Sequence, residues 1–259
     1  MSASPEGRRP RGARGERGAR AVRAVSAGRA GRVVSAAPVI AIDGPSGAGK
    51  GTVSRAVAQA LGWALLDSGA LYRLVALAAR EAGVDLGDAL ALARIAAGLQ
   101  VRFGSAAGGR EAVCLGGRNV TKGIRTEQAG NDASIVAAIP AVRAALLDRQ
   151  RRFAAPPGLV ADGRDMGTVV FPEAPVKIFL TASAAERAAR RHKQLKEQGV
   201  TANLAALSLE IAERDLRDKT RAASPLVASA DAVRLDTTAM PVEAVVERIL
   251  QIARGRLTI

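Results

Sequence analysis

The stretch of this chain best suited to chemistry is Gly44-Pro45-Ser46-Gly47-Ala48-Gly49-Lys50-Gly51-Thr52. It follows Val39–Ile42, a short apolar run that reads as a buried strand, and leads into Lys50–Leu61, whose apolar residues have helical spacing. Glycines at 47, 49 and 51 let the backbone turn tightly, so that its N–H groups converge on a phosphate at the positive end of the helix. Lys50 adds a point charge for the β- and γ-phosphates, and Thr52 offers its hydroxyl to Mg2+. Strand, loop, lysine, threonine and helix in that order separate a phosphate loop from a chance glycine cluster. Such a loop specifies a phosphate donor and leaves the acceptor open. The chain has no guanine-reading NKxD-type motif, which argues against a GTPase.

The acceptor must be read from basic residues further along. Arg73 closes the first turn of a helix beginning at Ser68. Arg164 lies just past the strand Leu159–Ala161, at the carboxyl end where open α/β sheets bind ligands. Arg214, Arg217 and Arg221 are three and four residues apart, which places them on one helical face. Two readings of that face compete. It is solvated and balanced by the interleaved Asp215 and Asp218, or it holds an anion that relieves the repulsion between its arginines.

Four segments then carry a resemblance: Leu66-Asp67-Ser68-Gly69-Ala70-Leu71-Tyr72-Arg73, Asn131-Asp132-Ala133-Ser134 with Val142-Arg143, Ala161 to Pro172 around Gly163-Arg164-Asp165, and Glu213 to Arg221. With the loop, in this order and spacing, they resemble bacterial-type cytidylate kinase over about residues 38–257. The loop departs from the general pattern, because Gly51 stands between Lys50 and Thr52, and that GKGT spelling is the nucleoside monophosphate kinase variant. The resemblance implies ATP as donor, Mg2+ as its companion, and CMP or dCMP as acceptor. It implies that Lys50, Arg164 and Arg221 act in the transfer, and that Arg73, with Ser68 nearby, joins Arg164 and Arg221 on the acceptor phosphate. The positions matching Asp165 and Arg143 read the base, with Ser134 alongside. Asp218 takes the sugar hydroxyls, with Arg214 beside it. Cytosine presents an amino donor and two acceptors, which suit a carboxylate and a guanidinium. Asp162 either orients a Mg2+ water or braces the phosphate loop. Two rivals stand beside this reading: another small P-loop kinase, of UMP or of shikimate type, and a nucleic-acid-binding protein working through its basic tail.

These residues need a scaffold. Strands are predicted at 39–42, 64–66, 159–161, 176–180 and 233–235. Helices are predicted at 50–61, 69–82, 89–97, 127–138, 141–153, 184–198, 204–219 and 242–254. Their alternation predicts an α/β fold, a P-loop parallel sheet covered by helices on both faces. Val101, Phe103, Val113, Leu115 and Val120 alternate around Gly108-Gly109 and Gly116-Gly117, which predicts a small antiparallel insert at about 99–125. A lid is expected at about 214–225. Hydrophobic residues make up 48% of the chain and aromatic ones 2%, so the core is aliphatic, and the aromatic platforms of single-strand binding surfaces are missing. No stretch approaches the roughly 20 apolar residues that span a bilayer. With Cys114 alone as cysteine, we expect a cytoplasmic monomer. His192 among Arg190, Arg191 and Lys193 is expected at the surface, and Trp63 in the core or at its rim.

The net charge of +14 divides into +7 on residues 1–32 and +7 on the rest. A moderately basic body suits polyanionic substrates. Residues 1–36 repeat Arg, Gly, Ala and Pro with no hydrophobic period, so they cannot bury enough apolar area to offset their ordering entropy and are expected to be disordered. They are a solvated extension, a basic arm for non-specific nucleic-acid contact or an organellar targeting peptide. If they are a free appendage, a chain starting at Pro38 keeps its melting temperature and its kcat/KM. A large loss of either in the shortened chain would show that the tail packs on the body.

Overall fold

In the computed structural model, which describes residues 37–105, 111–197 and 199–257, the apolar runs pair into a five-stranded parallel sheet. Its strands are β1 (Val39–Asp43), β2 (Ala64–Asp67), β6 (Leu159–Gly163), β7 (Val176–Thr181) and β8 (Val233–Asp236), in the order β2-β6-β1-β7-β8. Three short strands, β3 (Val101–Ser105), β4 (Glu111–Leu115) and β5 (Arg118–Asn119), form a separate antiparallel sheet. The second hairpin turns on Gly116 and Gly117, both with positive φ, the mirror-image turn that matches strand twist. The turn expected at Gly108-Gly109 lies outside the described residues.

The three central strands, β6, β1 and β7, are buried on both faces of the sheet, as their largely apolar runs require, while the edge strands β2 and β8 are partly exposed. Val39, Ala41, Leu159 and Ala161 pack on one side, in a core shared with α2 (Ser68–Glu81), α3 (Ala89–Ala97), α4 (Glu127–Val136) and α5 (Pro140–Arg151). Ile40, Ile42, Val160, Val176, Ile178 and Leu180 pack on the other, against α1 (Lys50–Leu61) and α8 (Val242–Arg256). The antiparallel strands add Val113 and Leu115 to the first core, and Phe103 meets Phe153 edge to face at 5.8 Å. Helices α6 (Ala184–Glu197) and α7 (Leu204–Thr220) form a hairpin, with α7 reaching α4.

Two expectations about single residues have outcomes here. Trp63 packs at the rim of the second core, so close to Gly158 that a Cβ there would sit 2.3 Å from the indole. His192 is half-buried instead of fully on the surface.

The parallel order positions the site. From β1 the chain crosses to β2 on one side, and from β6 it crosses to β7 on the other, so connections diverge beside the carboxyl end of β1. That crevice is where open α/β sheets bind ligands. Strand β1 is pinned there: Gly44 has φ 149°, and a Cβ on it would meet the Leu180 carbonyl at 2.1 Å. Gly83, after α2, also has positive φ (66°) but has nothing within 4 Å. Gly44→Ala is therefore expected to cost at least about 3 kcal/mol through clash and backbone strain. Thermal unfolding should show a fall of at least about 6 °C. Gly83→Ala carries only the left-handed strain of about 1–2 kcal/mol and should fall less. Equal losses in the two variants would show that the β1–β7 contact does not restrain the loop.

Candidate active site

The donor half is the loop between β1 and α1. Gly47 and Gly49 have φ of 77° and 85°, conformations that glycine adopts without strain. Gly49 stands at the N-cap of α1 and offers no side-chain cap, so the first N–H groups of the helix are left for a phosphate. The loop's carbonyls are engaged from behind. Lys50 Nζ donates to Pro45 O at 2.7 Å, Arg187 Nη1 to Ser46 O at 3.0 Å, and Thr237 Oγ1 to Ala48 O at 3.3 Å. Thr52 is exposed in the first turn of α1.

Lys50 is buried, and burial with the nearby Arg164 lowers its pKa to about 7, against the pull of Asp162, Asp218 and Asp43. Asp162 lies behind the loop, its Oδ2 3.6 Å from where a Gly51 Cβ would sit. Burial raises it to about 6, opposed first by Lys50.

The acceptor half is built on the ends of β2 and β6 and on α7. Asp67 caps α2 by accepting from Ala70 N at 3.0 Å, and its second oxygen lies 3.4 Å from Arg73 Nη1. Ser68 beneath it is buried. Arg164 donates from Nε to Asp218 at 2.8 Å and from Nη1 to its neighbour's carbonyl, Gly163 O, at 3.2 Å. Arg143 is buried across the Tyr72 ring, 5.5 Å from its centroid, and pairs through Nη2 with Asp165. Arg221, the residue closing α7, donates from Nε to Ser224 O, and its Nη2 lies 3.9 Å from Asp165. Ser134 accepts from Arg217 Nε at 3.3 Å.

The structure thus brings Arg164, Asp165, Asp218, Arg221 and Arg143 together, with Arg73 and Arg214 at their edge. Arg217 turns to Ser134. The solvated reading of the α7 face fails, because Asp215 and Asp218 are both buried against arginines of other elements.

The arginines are not fully matched. Arg214 Nε and Arg221 Nη2 are buried without a hydrogen-bond partner. Burial and neighbouring Arg164 lower Arg214 to about 10, while burial and Arg143 lower Arg221. Two unmet buried donors among arginines that repel one another make a cluster suited to an anion.

Sequence reasoning missed four supporting residues. Asp43, at the end of β1, is buried and accepts the N–H groups of Met166 and Gly167, each at 2.8 Å. Arg187 joins the loop to α7 through Asp215 at 2.7 Å, and Thr237 is the fourth. A carboxylate closing an otherwise apolar run was a visible signal for Asp43. Nothing local marks Arg187, Asp215 or Thr237 among many similar residues.

The family model described as Cytidylate kinase matches residues 40–255. The chain is 60% identical over 213 residues to a cytidylate kinase of Azotobacter vinelandii, covering 82% of this chain and 93% of that protein. It is 58% identical over 227 residues to a cytidylate kinase of Erwinia tasmaniensis, covering 88% of this chain and all of that one. A gluconokinase structure from Sinorhizobium meliloti overlaps with a TM-score of 0.42 at 19% identity, over 85% of this chain and 93% of that one, too loosely to bear on function.

The lowered pKa of Lys50 makes a prediction about the donor. At pH above about 7 much of Lys50 is neutral in the free protein. A polyphosphate on the loop favours the ammonium and raises that pKa, so binding takes up a proton and affinity weakens as pH rises through 7. Calorimetry of ATP binding at a pH of about 8, in buffers of different ionisation enthalpy, should report net proton uptake. Heats independent of the buffer would overturn this account of Lys50.

Proposed function

The chain belongs to the cytidylate kinase family and is an ATP-dependent phosphotransferase acting on cytidine monophosphate; from that premise we propose how its residues divide the work. One observation carries the division. Arg73, Arg164, Arg214 and Arg221 gather opposite the Lys50 loop with buried N–H groups unmet, beside a buried Asp165–Arg143 pair. The unmet Arg221 Nη2 joins Arg73 and Arg164 on the CMP phosphate, the unmet Arg214 Nε lies by the sugar, and the pair reads the base.

ATP lies with its phosphates on residues 44–52. Lys50 stabilises the charge that develops on the transferred group. Arg73, Arg164 and Arg221 hold the acceptor phosphate in line with it. No general base is needed, since a monophosphate with a second pKa of about 6 is mostly deprotonated at neutral pH. Asp165 accepts from the cytosine amino group, and Arg143 donates to the ring acceptors, with Ser134 at their side. Asp218 takes the sugar hydroxyls next to Arg214. Mg2+ would be held by Thr52, exposed at the start of α1, with the Asp162 carboxylate near by behind the loop. A cation there favours the ionised form of that buried carboxylate. The metal supplies charge neutralisation on the phosphates.

The insert (about 99–125) and the segment 214–225 close over the substrates and keep water from the donor phosphate. We place the enzyme in the cytoplasm as a monomer, a setting that fits its single cysteine and its nucleotide substrates. The arginines of residues 1–36 add weak, salt-sensitive contact with nucleic acid.

Three variants test these roles. Lys50→Ala removes transition-state stabilisation, so kcat should fall by roughly 10²-fold or more while the fold survives. Turnover within a few-fold of the parent would sink the donor assignment. Uracil sets an acceptor against Asp165 and a donor against Arg143, so CMP should exceed UMP by at least about 10²-fold in kcat/KM. Asp165→Ala should remove that preference mainly by lowering the CMP rate. Arg73→Ala should weaken both substrates together. An equal loss for CMP and UMP in Asp165→Ala would show that Asp165 is not the base reader.

A further inference from the structure

Asp165 stands in a position that ordinarily consumes a carboxylate. It is the residue before a π-helical turn, Met166–Val170, and a residue there normally caps the turn with its own side chain. Elsewhere in the chain this happens: Asp67, Asp88, Thr126 and Asn203 each accept from the first turn of the helix they precede. Asp165 makes no such bond. Its carboxylate instead faces Arg143 and Arg221.

The reason lies on strand β1. Asp43 Oδ1 accepts from Met166 N and Asp43 Oδ2 from Gly167 N, both at 2.8 Å and across more than 120 residues of chain. They are the first two N–H groups of the turn, so β1 anchors its start without the Asp165 side chain. Meanwhile the Asp165 carbonyl accepts from Val169 N at 2.9 Å and Val170 N at 3.1 Å. The backbone of Asp165 is thereby held from both directions and its carboxylate is left over. Close approach is part of the device, since a Cβ on Gly167 would already sit 3.5 Å from Asp43 Oδ2 and 3.2 Å from the Lys177 side chain.

We propose that Asp43 is a positioning residue for base selection: an anchor on β1 that holds the turn so that the Asp165 carboxylate faces the cytosine. This rests on the reading of Asp165 as base reader. Because Asp43 directly precedes Gly44, the same side chain ties the base site to the entry of the donor loop. An expensive group is kept for the purpose. Burial raises Asp43 to about 7 even though both N–H groups pull it down. Two oxygens are needed for two amides, and asparagine, with one acceptor, could serve only one.

The test compares the full-length parent with Asp43→Asn, Asp165→Ala and the double variant, measuring kcat and KM for CMP, UMP and ATP. With one of the two anchoring bonds lost, the turn loosens and the Asp165 carboxylate is no longer held toward the base. Asp43→Asn should raise the KM for CMP by at least about 10-fold and narrow the CMP/UMP ratio of kcat/KM similarly, with the KM for ATP changed less than about threefold. The double variant should discriminate no worse than Asp165→Ala alone, because Asp43 acts through Asp165. Equal losses on CMP and UMP, a raised KM for ATP or additive losses in the double variant would overturn the proposal. If Asp165→Ala itself keeps the cytosine preference, the base-reader reading fails and takes this inference with it. If Asp165→Ala loses the preference and Asp43→Asn keeps it, only this inference fails. Should Asp43→Asn not fold, replacing the Met166 amide by an ester removes the same donor and leaves every side chain in place, with the same split expected.

Discussion

Strand β1 and strand β6 begin more than 110 residues apart in the chain, yet they pair residue for residue, with Ile42 opposite Asp162 and Asp43 opposite Gly163. Each strand ends in a functional turn, the phosphate loop after Asp43 and Arg164-Asp165 after Gly163. A parallel register fixes both turns at one edge of the sheet, separated by a single strand spacing of about 4.8 Å. Slipping the register by one residue would exchange the faces of an entire buried strand, a cost no parallel sheet covered on both sides can carry. Donor and acceptor are thus brought together by backbone hydrogen bonds and apolar packing, and the polar residues refine what that pairing sets up.

The electrostatic character of the site follows from the same edge. Asp43, Lys50, Asp162, Asp165, Asp218 and Arg221 are all buried there. Charged groups removed from water are costly unless paired, and a buried pair can cost more than it returns. Two of these are met by arginines, Asp218 by Arg164 and Asp165 by Arg143, and Arg187 pairs with Asp215 beside them. Arg214 Nε and Arg221 Nη2 are buried and make no hydrogen bond within the protein. On the proposed division of roles, a substrate phosphate would supply what they lack, and binding energy would be drawn from groups that the fold leaves unsatisfied.

Elements far from the chemistry hold this arrangement in place. Arg187 on α6 donates to Ser46 in the loop and pairs with Asp215 on α7, so one guanidinium spans the donor loop and the helix that carries Arg214 and Asp218. That side chain ties the position of α7 to the donor loop. Thr237, past the end of β8, adds a second restraint on Ala48.

How much of this was legible in the sequence depends on the range of the physics involved. The phosphate loop is local: its glycines, Lys50 and Thr52 lie within nine residues, and strand, loop and helix are written in short-range pattern, so α1 spans Lys50–Leu61 as its spacing predicts. The parallel sheet and the antiparallel strands were readable for the same reason, since alternation and apolar runs report burial directly. What the sequence could not decide is which charges meet. Whether Asp218 faces water or Arg164, whether Arg217 serves a ligand or Ser134, and which carboxylate caps the turn after Asp165 depend on partners tens to more than a hundred residues away. An ion pair leaves no periodic trace in a chain, because any arginine is chemically able to meet any aspartate. Only the tertiary structure chose among them, by the register of β1 on β6 and the packing of α7 over their ends.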